Sequence, residues 1–186
     1  MFLEILFNSI FFVALTEMGD KTQLLAFILA TRYKKPWTIM GAIFLATIAN
    51  HLLAAWLGTF ISQYVPAHIL KWSLVAVFLA FAIWVMIPDK EGEVKSTGKW
   101  GAFLTTFVSF FLAEMGDKTQ LTTLALAAKY NDLTLVTIGS TIGMMISSAL
   151  AIFFGNKLTK RIPMKVIHAF AAFFFVIMAI GIIVKF

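Results

Sequence analysis

The sequence predicts an all-α polytopic membrane protein of six transmembrane helices, arranged as two three-helix repeats in opposite orientation. Three observations predict it. Hydrophobic residues make up 61% of the 186 positions and charged residues only 13%, with a mean hydropathy of +0.93; no soluble domain class has that composition. The charges gather between six apolar runs, each about long enough to cross a bilayer core of roughly 30 Å. Finally, the string EMGDKTQL is written twice without a change, at Glu17–Leu24 and at Glu114–Leu121.

The first apolar run, about Leu3 to Ala30, is predicted as one helix of about 28 residues and about 42 Å. It exceeds the hydrocarbon thickness, so it must tilt, kink or protrude. It begins with Glu4 in place of a basic segment and shows no small-residue cleavage pattern, so it reads as a first span and not as a leader peptide. Arg32, Lys34, Lys35 and Pro36 close it. The second span, about Trp37 to Ile61, carries Asn50 and His51 near its centre, with Trp37 and Trp56 as interface anchors. The third, about His68 to Ile87, has no polar centre and reads as lipid-facing scaffold.

The segment Pro88–Lys99, with three acids and three bases, reads as a linker between halves. Then come Trp100–Lys129 with Glu114 at its centre, Leu133–Phe154 with the close-contact pair Gly139 and Gly143, and Val166–Val184. The division is therefore residues 1–87, a cytoplasmic linker at 88–99, and residues 100–186.

The repeat extends past the motif. Tyr33 and Tyr130, Gly58 and Gly155, and Pro66 and Pro163 all stand 97 positions apart, the spacing of the motifs, and Gly41 and Gly139 stand 98 apart. Each unit crosses three times, an odd number, so the second copy enters from the opposite face. That arrangement brings both motifs to the midplane. Ten bases (Arg32, Lys34, Lys35, Lys90, Lys95, Lys99, Lys157, Lys160, Arg161, Lys165) fall on one side and three (Lys71, Lys129, Lys185) on the other. The positive-inside rule makes the ten-base side cytoplasmic and puts both termini outside.

An ionisable side chain at membrane depth costs several kcal/mol unless it is paired or lines a polar cavity. Six of them at matched spacing point to an ion site built from Glu17, Asp20, Glu114 and Asp117 as metal ligands, with Lys21 and Lys118 as internal counter-ions. In a continuous helix Glu17, Asp20 and Lys21 would share one face, Leu24 extending the stripe. The bland alternative is an i,i+4 salt bridge from Glu17 to Lys21, which leaves each Asp unexplained and is weak as a stabiliser.

Gly19 and Gly116 either permit close helix approach or mark a break whose freed carbonyls act as ligands; the sequence leaves both open. If the helix unwinds there, Thr22, Gln23, Thr119 and Gln120 can complete an oxygen shell. Asn50 reads as an interhelical hydrogen bond, a ligand or a gate. Met18 and Met115 read as packing residues, with a thioether contact as the sharper use. His51 reads as a structural histidine, with proton carriage as its sharper use.

Four carboxylates and two lysines sum to −2, the charge that one divalent cation balances. Oxygen donors of this kind suit Mn²⁺, Ca²⁺ or Mg²⁺ over Cu⁺ or Zn²⁺. With no cysteine there is no disulfide, thiolate site or cysteine chemistry, and three scattered histidines do not make a zinc cage. No nucleophile–base pair suggests an enzyme, no permanently bound cofactor is implied, and the net charge of +6 is a topology signal with no nucleic-acid footprint. An exporter of a small organic solute such as an amino acid, or a membrane scaffold without transport, are the competing functions. A homo-oligomer is compatible with the sequence.

The doubled Glu-x-Gly-Asp-Lys-Thr motif, complete at Glu17–Thr22 and Glu114–Thr119, resembles that of a small cation/proton exchanger family. Its members include bacterial manganese exporters of the MneA type and Golgi and chloroplast manganese/calcium transporters, within the LysE-like exporter group. The resemblance covers nearly the whole chain. It implies export of Mn²⁺ or Ca²⁺ by exchange with protons, with Glu17, Asp20, Glu114 and Asp117 at the acidic positions. It also implies, from the compact length, a bacterial plasma (inner) membrane exporter.

Overall fold

A computed structural model describes residues 1–87, 101–158 and 164–185, and the regular secondary structure among these is all α-helix. The linker expected at 88–99 lies outside the described residues. The helices are α1 (Phe2–Glu17), α2 (Lys21–Tyr33), α3 (Pro36–Tyr64), α4 (Ala67–Trp84), α5 (Ala102–Glu114), α6 (Lys118–Tyr130), α7 (Leu133–Leu158) and α8 (Met164–Lys185).

The two long helices expected at Leu3–Ala30 and Trp100–Lys129 are each divided, and both divisions fall on the motif. At Met18–Asp20 the chain leaves α1 and re-enters α2 at an angle of 75°. Gly19 has φ +86° and Gly116 φ +78°, a left-handed conformation that strains any side chain bearing a Cβ. Of the two uses open to these glycines, the structure takes the break. Asp20 and Asp117 restart the helices as N-caps, each Oδ1 accepting the amide of the following lysine at 2.7 Å. Three positions on, Gln23 and Gln120 fold back to accept the Gly19 and Gly116 amides at 3.0 and 2.6 Å, a variant of the capping box.

Helices α3, α4, α7 and α8 are each long and apolar enough to cross a membrane, and α1 with α2 qualifies as one bent span. The chain is thus a polytopic membrane bundle of four to five apolar spans. Its helices keep the sequence repeat: α2 and α6, and the starts of α3 and α7 and of α4 and α8, coincide at the motif spacing. The packing follows suit. Helix α1 packs on α7 as α5 packs on α3, α6 packs on α3 as α2 packs on α7, and α3 meets α7 as α4 meets α8. Each half therefore buries its main surface against the other.

Small residues permit these approaches. A Cβ on Gly58 would lie 2.2 Å from the Leu124 carbonyl of α6, and on Gly143 2.6 Å from the Ile10 carbonyl of α1. Backbone cannot yield as a side-chain tip can, so Gly58→Ala is expected to cost about 1–3 kcal/mol through overpacking. The measurement is the thermal midpoint in detergent, against Gly41→Ala, where nothing stands within 4 Å. Equal midpoints for the two variants would contradict this packing.

Candidate functional site at the helix breaks

Because the helix ends at Glu17, the shared face expected for Glu17, Asp20 and Lys21 does not form, and Leu24 is 41% exposed instead of continuing a stripe. The break replaces the one-helix geometry with contacts between the two motifs. Lys21 Nζ sits 2.7 Å from Asp117 Oδ2 of the other copy, so the i,i+4 bridge from Glu17 to Lys21 is not what holds the lysine. Glu17 accepts one hydroxyl from its own half, Thr22 at 2.7 Å to Oε2, and one from the other half, Thr119 to Oε1.

Glu17 and Glu114 are both sealed from solvent, at 1% and 0% exposure. Among the described residues Glu114 has no hydrogen-bond partner on either oxygen, yet its carboxylate lies within electrostatic reach of Glu17, Asp117 and Asp20. A buried, unsatisfied acid is costly, and its neighbours here are further acids. The structure thus brings the two glutamates and two threonines to one buried locus. The aspartates stand beside it at the helix starts, 5% exposed each. Among the described residues no three acidic or imidazole side chains converge in ion-holding geometry, so the four expected acids are neighbours without forming one cage in this conformation.

The remaining predicted residues support the breaks. Gln120 Nε2 donates to Asn50 Oδ1 at 3.3 Å, and Asn50 Nδ2 donates to the Phe111 carbonyl at 3.0 Å. In the other half Gln23 Nε2 donates to the Ser147 carbonyl and hydroxyl at 3.2 and 3.3 Å. Asn50 and Ser147 stand at the motif spacing, so the repeat itself pointed to Ser147 once Asn50 had been singled out. Lys118 is buried, donates to the Ile87 carbonyl at 3.1 Å and lies 5.9 Å over the Trp84 ring. That corrects the reading of the third span as plain scaffold. Met115 is 52% exposed, unlike the buried acids beside it. His51 is fully buried, with both ring nitrogens unpartnered.

Comparison with known proteins gives this geometry a family. The profile of the divalent cation/proton antiporter GDT1 matches residues 5–93 and 102–185. The chain belongs to that family. It is 46% identical over 180 residues to a protein of Vibrio cholerae named "Putative manganese exporter", covering 96% of this chain and 90% of that one. It is 28% identical over 190 residues to the GDT1-like protein sll0615 of Synechocystis, covering 90% and 91%. To the GDT1-like protein 3 of Arabidopsis thaliana it is 27% identical over 192 residues, covering 88% and 65%. No solved structure matches.

Membership of the GDT1 family makes this chain a secondary transporter of divalent cations and not an enzyme. The cation is cargo, and no resident cofactor takes part. The two matched stretches begin at residues 5 and 102, the same separation as Glu17 and Glu114.

Proposed function

We propose that this GDT1-family chain exports Mn²⁺, with Ca²⁺ as a second cargo, in exchange for protons by alternating access. The reading places six crossings in two inverted repeats, residues 1–87 and 100–186, in a bacterial inner membrane with both termini outside. The high identity to the Vibrio protein over nearly its whole length favours manganese. The common helix spacing and the mutual packing of the halves support the duplication, and the ten-to-three split of loop bases supports the orientation.

One observation carries the mechanism. Glu17 is held by a hydroxyl from each motif while Lys21 of one motif pairs with Asp117 of the other, so the two breaks form one unit. Glu17 and Glu114 supply the central charge. The Thr22 and Thr119 hydroxyls now donate, and by rotating can present lone pairs to a cation. An arriving dication competes with Lys21 for Asp117. Carboxylates hold metal only when ionised, so protons and metal exclude one another at this locus.

The test is flux into proteoliposomes over a pH series with Mn²⁺, Ca²⁺ and Mg²⁺ in turn. Mn²⁺ flux should exceed Mg²⁺ flux, move protons the opposite way, and bind more weakly as pH falls. Mn²⁺ movement with no counterflow of protons would defeat the exchange reading.

A further inference from the structure

The two halves share a fold but not a state. Helices α4 and α8 form a pair across the pseudo-two-fold: Phe78 and Phe175, which stand at the motif spacing, stack at 6.2 Å, and Lys71 Nζ of α4 donates to the Ile183 carbonyl of α8 at 3.0 Å. This arm leans unequally on the rest of the bundle. Helix α8 lies on α1, with Phe174 4.7 Å from Phe11 and Phe175 5.0 Å from Phe12. Helix α4 lies on α6, where Lys118 takes the Ile87 carbonyl just beyond the helix end.

The counterpart contacts, α4 on α5 and α8 on α2, are not among the packed helix pairs. Val77 and Val108 stand at the counterpart positions of Phe174 and Phe11, and Val77 is 36% exposed. The Tyr130 hydroxyl accepts from Asn8 and Lys129 at 2.6 and 3.0 Å, whereas the buried hydroxyl of its counterpart Tyr33 has no partner. Lys21 is engaged by Asp117 with a third of its side chain exposed.

We propose that Lys118 and Lys21 are alternating latches for a moving α4–α8 arm. Lys118 holds the end of α4 in the state seen here. Lys21 takes the counterpart carbonyl, Val184 at the end of α8, when the arm swings onto α2 and α5. This rests on the inverted-repeat reading above and adds positioning roles to the motif lysines. An ammonium at this depth needs an acceptor, and a helix C-terminus offers unpaired carbonyls at the negative end of its dipole. Both halves carry the same octapeptide and matching helix starts, so each arrangement has its own latch, and a ligand that favours one state shifts the population toward it. A dication that draws Asp117 away from Lys21 supplies that bias, because it releases the second latch.

The chain has no cysteine, so introduced pairs report alone. With a short bis-methanethiosulfonate reagent, which forms a reducible disulfide to each thiol and releases sulfinate, Phe11→Cys with Phe174→Cys traps the present state, and Val77→Cys with Val108→Cys traps the other. In proteoliposomes both pairs should cross-link, each should stop Mn²⁺ exchange, and reduction should restore it. Lys118→Met should shift cross-linking severalfold from the first pair to the second, and Lys118→Arg should shift it back. A Val77/Val108 pair that never cross-links while its protein exchanges Mn²⁺ normally overturns the moving arm, and so does an unchanged ratio in Lys118→Met. Neither result touches the exchange reading, which falls only if the unsubstituted chain fails to exchange. The valine pair changes one exposed and one half-buried side chain, so the test does not depend on a damaged core.

Discussion

Glu17→Gln and Glu114→Gln should each reduce proton-coupled Mn²⁺ flux by about a hundredfold or more while leaving a folded protein. Each substitution removes one ionised oxygen ligand proposed for the cation, and a hundredfold loss corresponds to about 2.8 kcal/mol of cation binding at about 1.4 kcal/mol per decade. The structure separates the two variants by stability. Glu17 accepts hydroxyls on both oxygens, and glutamine offers only one acceptor, so Glu17→Gln loses a charge-assisted bond of about 1.5–3 kcal/mol. Glu114 has no such bond to lose, and neutralising a buried, unpartnered carboxylate relieves a desolvation cost. Thermal midpoints in detergent should therefore fall for Glu17→Gln and hold or rise for Glu114→Gln, with flux lost in both. Undiminished exchange in both variants would remove the glutamates from the transport site.

The all-α membrane class and the meeting of the two motifs were legible because local signals carry both. An apolar run with charged borders declares a span, and EMGDKTQL written twice marks the two segments that the structure brings into contact. The break was legible only as an alternative. Gly19 allowed it, but helical periodicity across Glu17, Asp20 and Lys21 fitted a continuous helix equally well, and the expected common face was lost when the chain turned. What favours the break is the agreement of Asp as N-cap, Gln at the third position and Gly before both, each satisfying an amide that a bent chain exposes.

Which lysine meets which aspartate was not legible at all, since cross-motif pairing depends on how two separated segments dock. The reach of Lys118 to the Ile87 carbonyl and over the Trp84 ring was equally hidden, because identical octapeptides differ only in what packs on them. The ends of α4 were read as scaffold for the same reason: Trp84 and Ile87 carry no sequence signal of a lysine partner.

Asp117→Asn isolates charge from structure and gives the second large effect. Asp117 caps α6 and pairs with Lys21, and asparagine caps about as well as aspartate. The variant should keep the break and change stability little, because Lys21 is one-third exposed and a partly solvated pair contributes only about 0–1 kcal/mol. Asp117→Ala, by contrast, loses the cap as well, a further cost of about 0.5–2 kcal/mol. The effect on cargo is larger. With its partner neutralised, Lys21 stays positive beside the glutamates, and the four acids and two lysines sum to −1 in place of −2. Mn²⁺ binding by calorimetry should weaken by tenfold or more, on the scale of about 1.4 kcal/mol per decade. Adding Lys21→Met restores the sum to −2, so the double variant should bind Mn²⁺ more tightly than Asp117→Asn alone even though it has lost two motif residues. If the second substitution only compounds the loss, the lysine is not an electrostatic competitor of the cation, and the charge balance proposed for the two breaks fails with it.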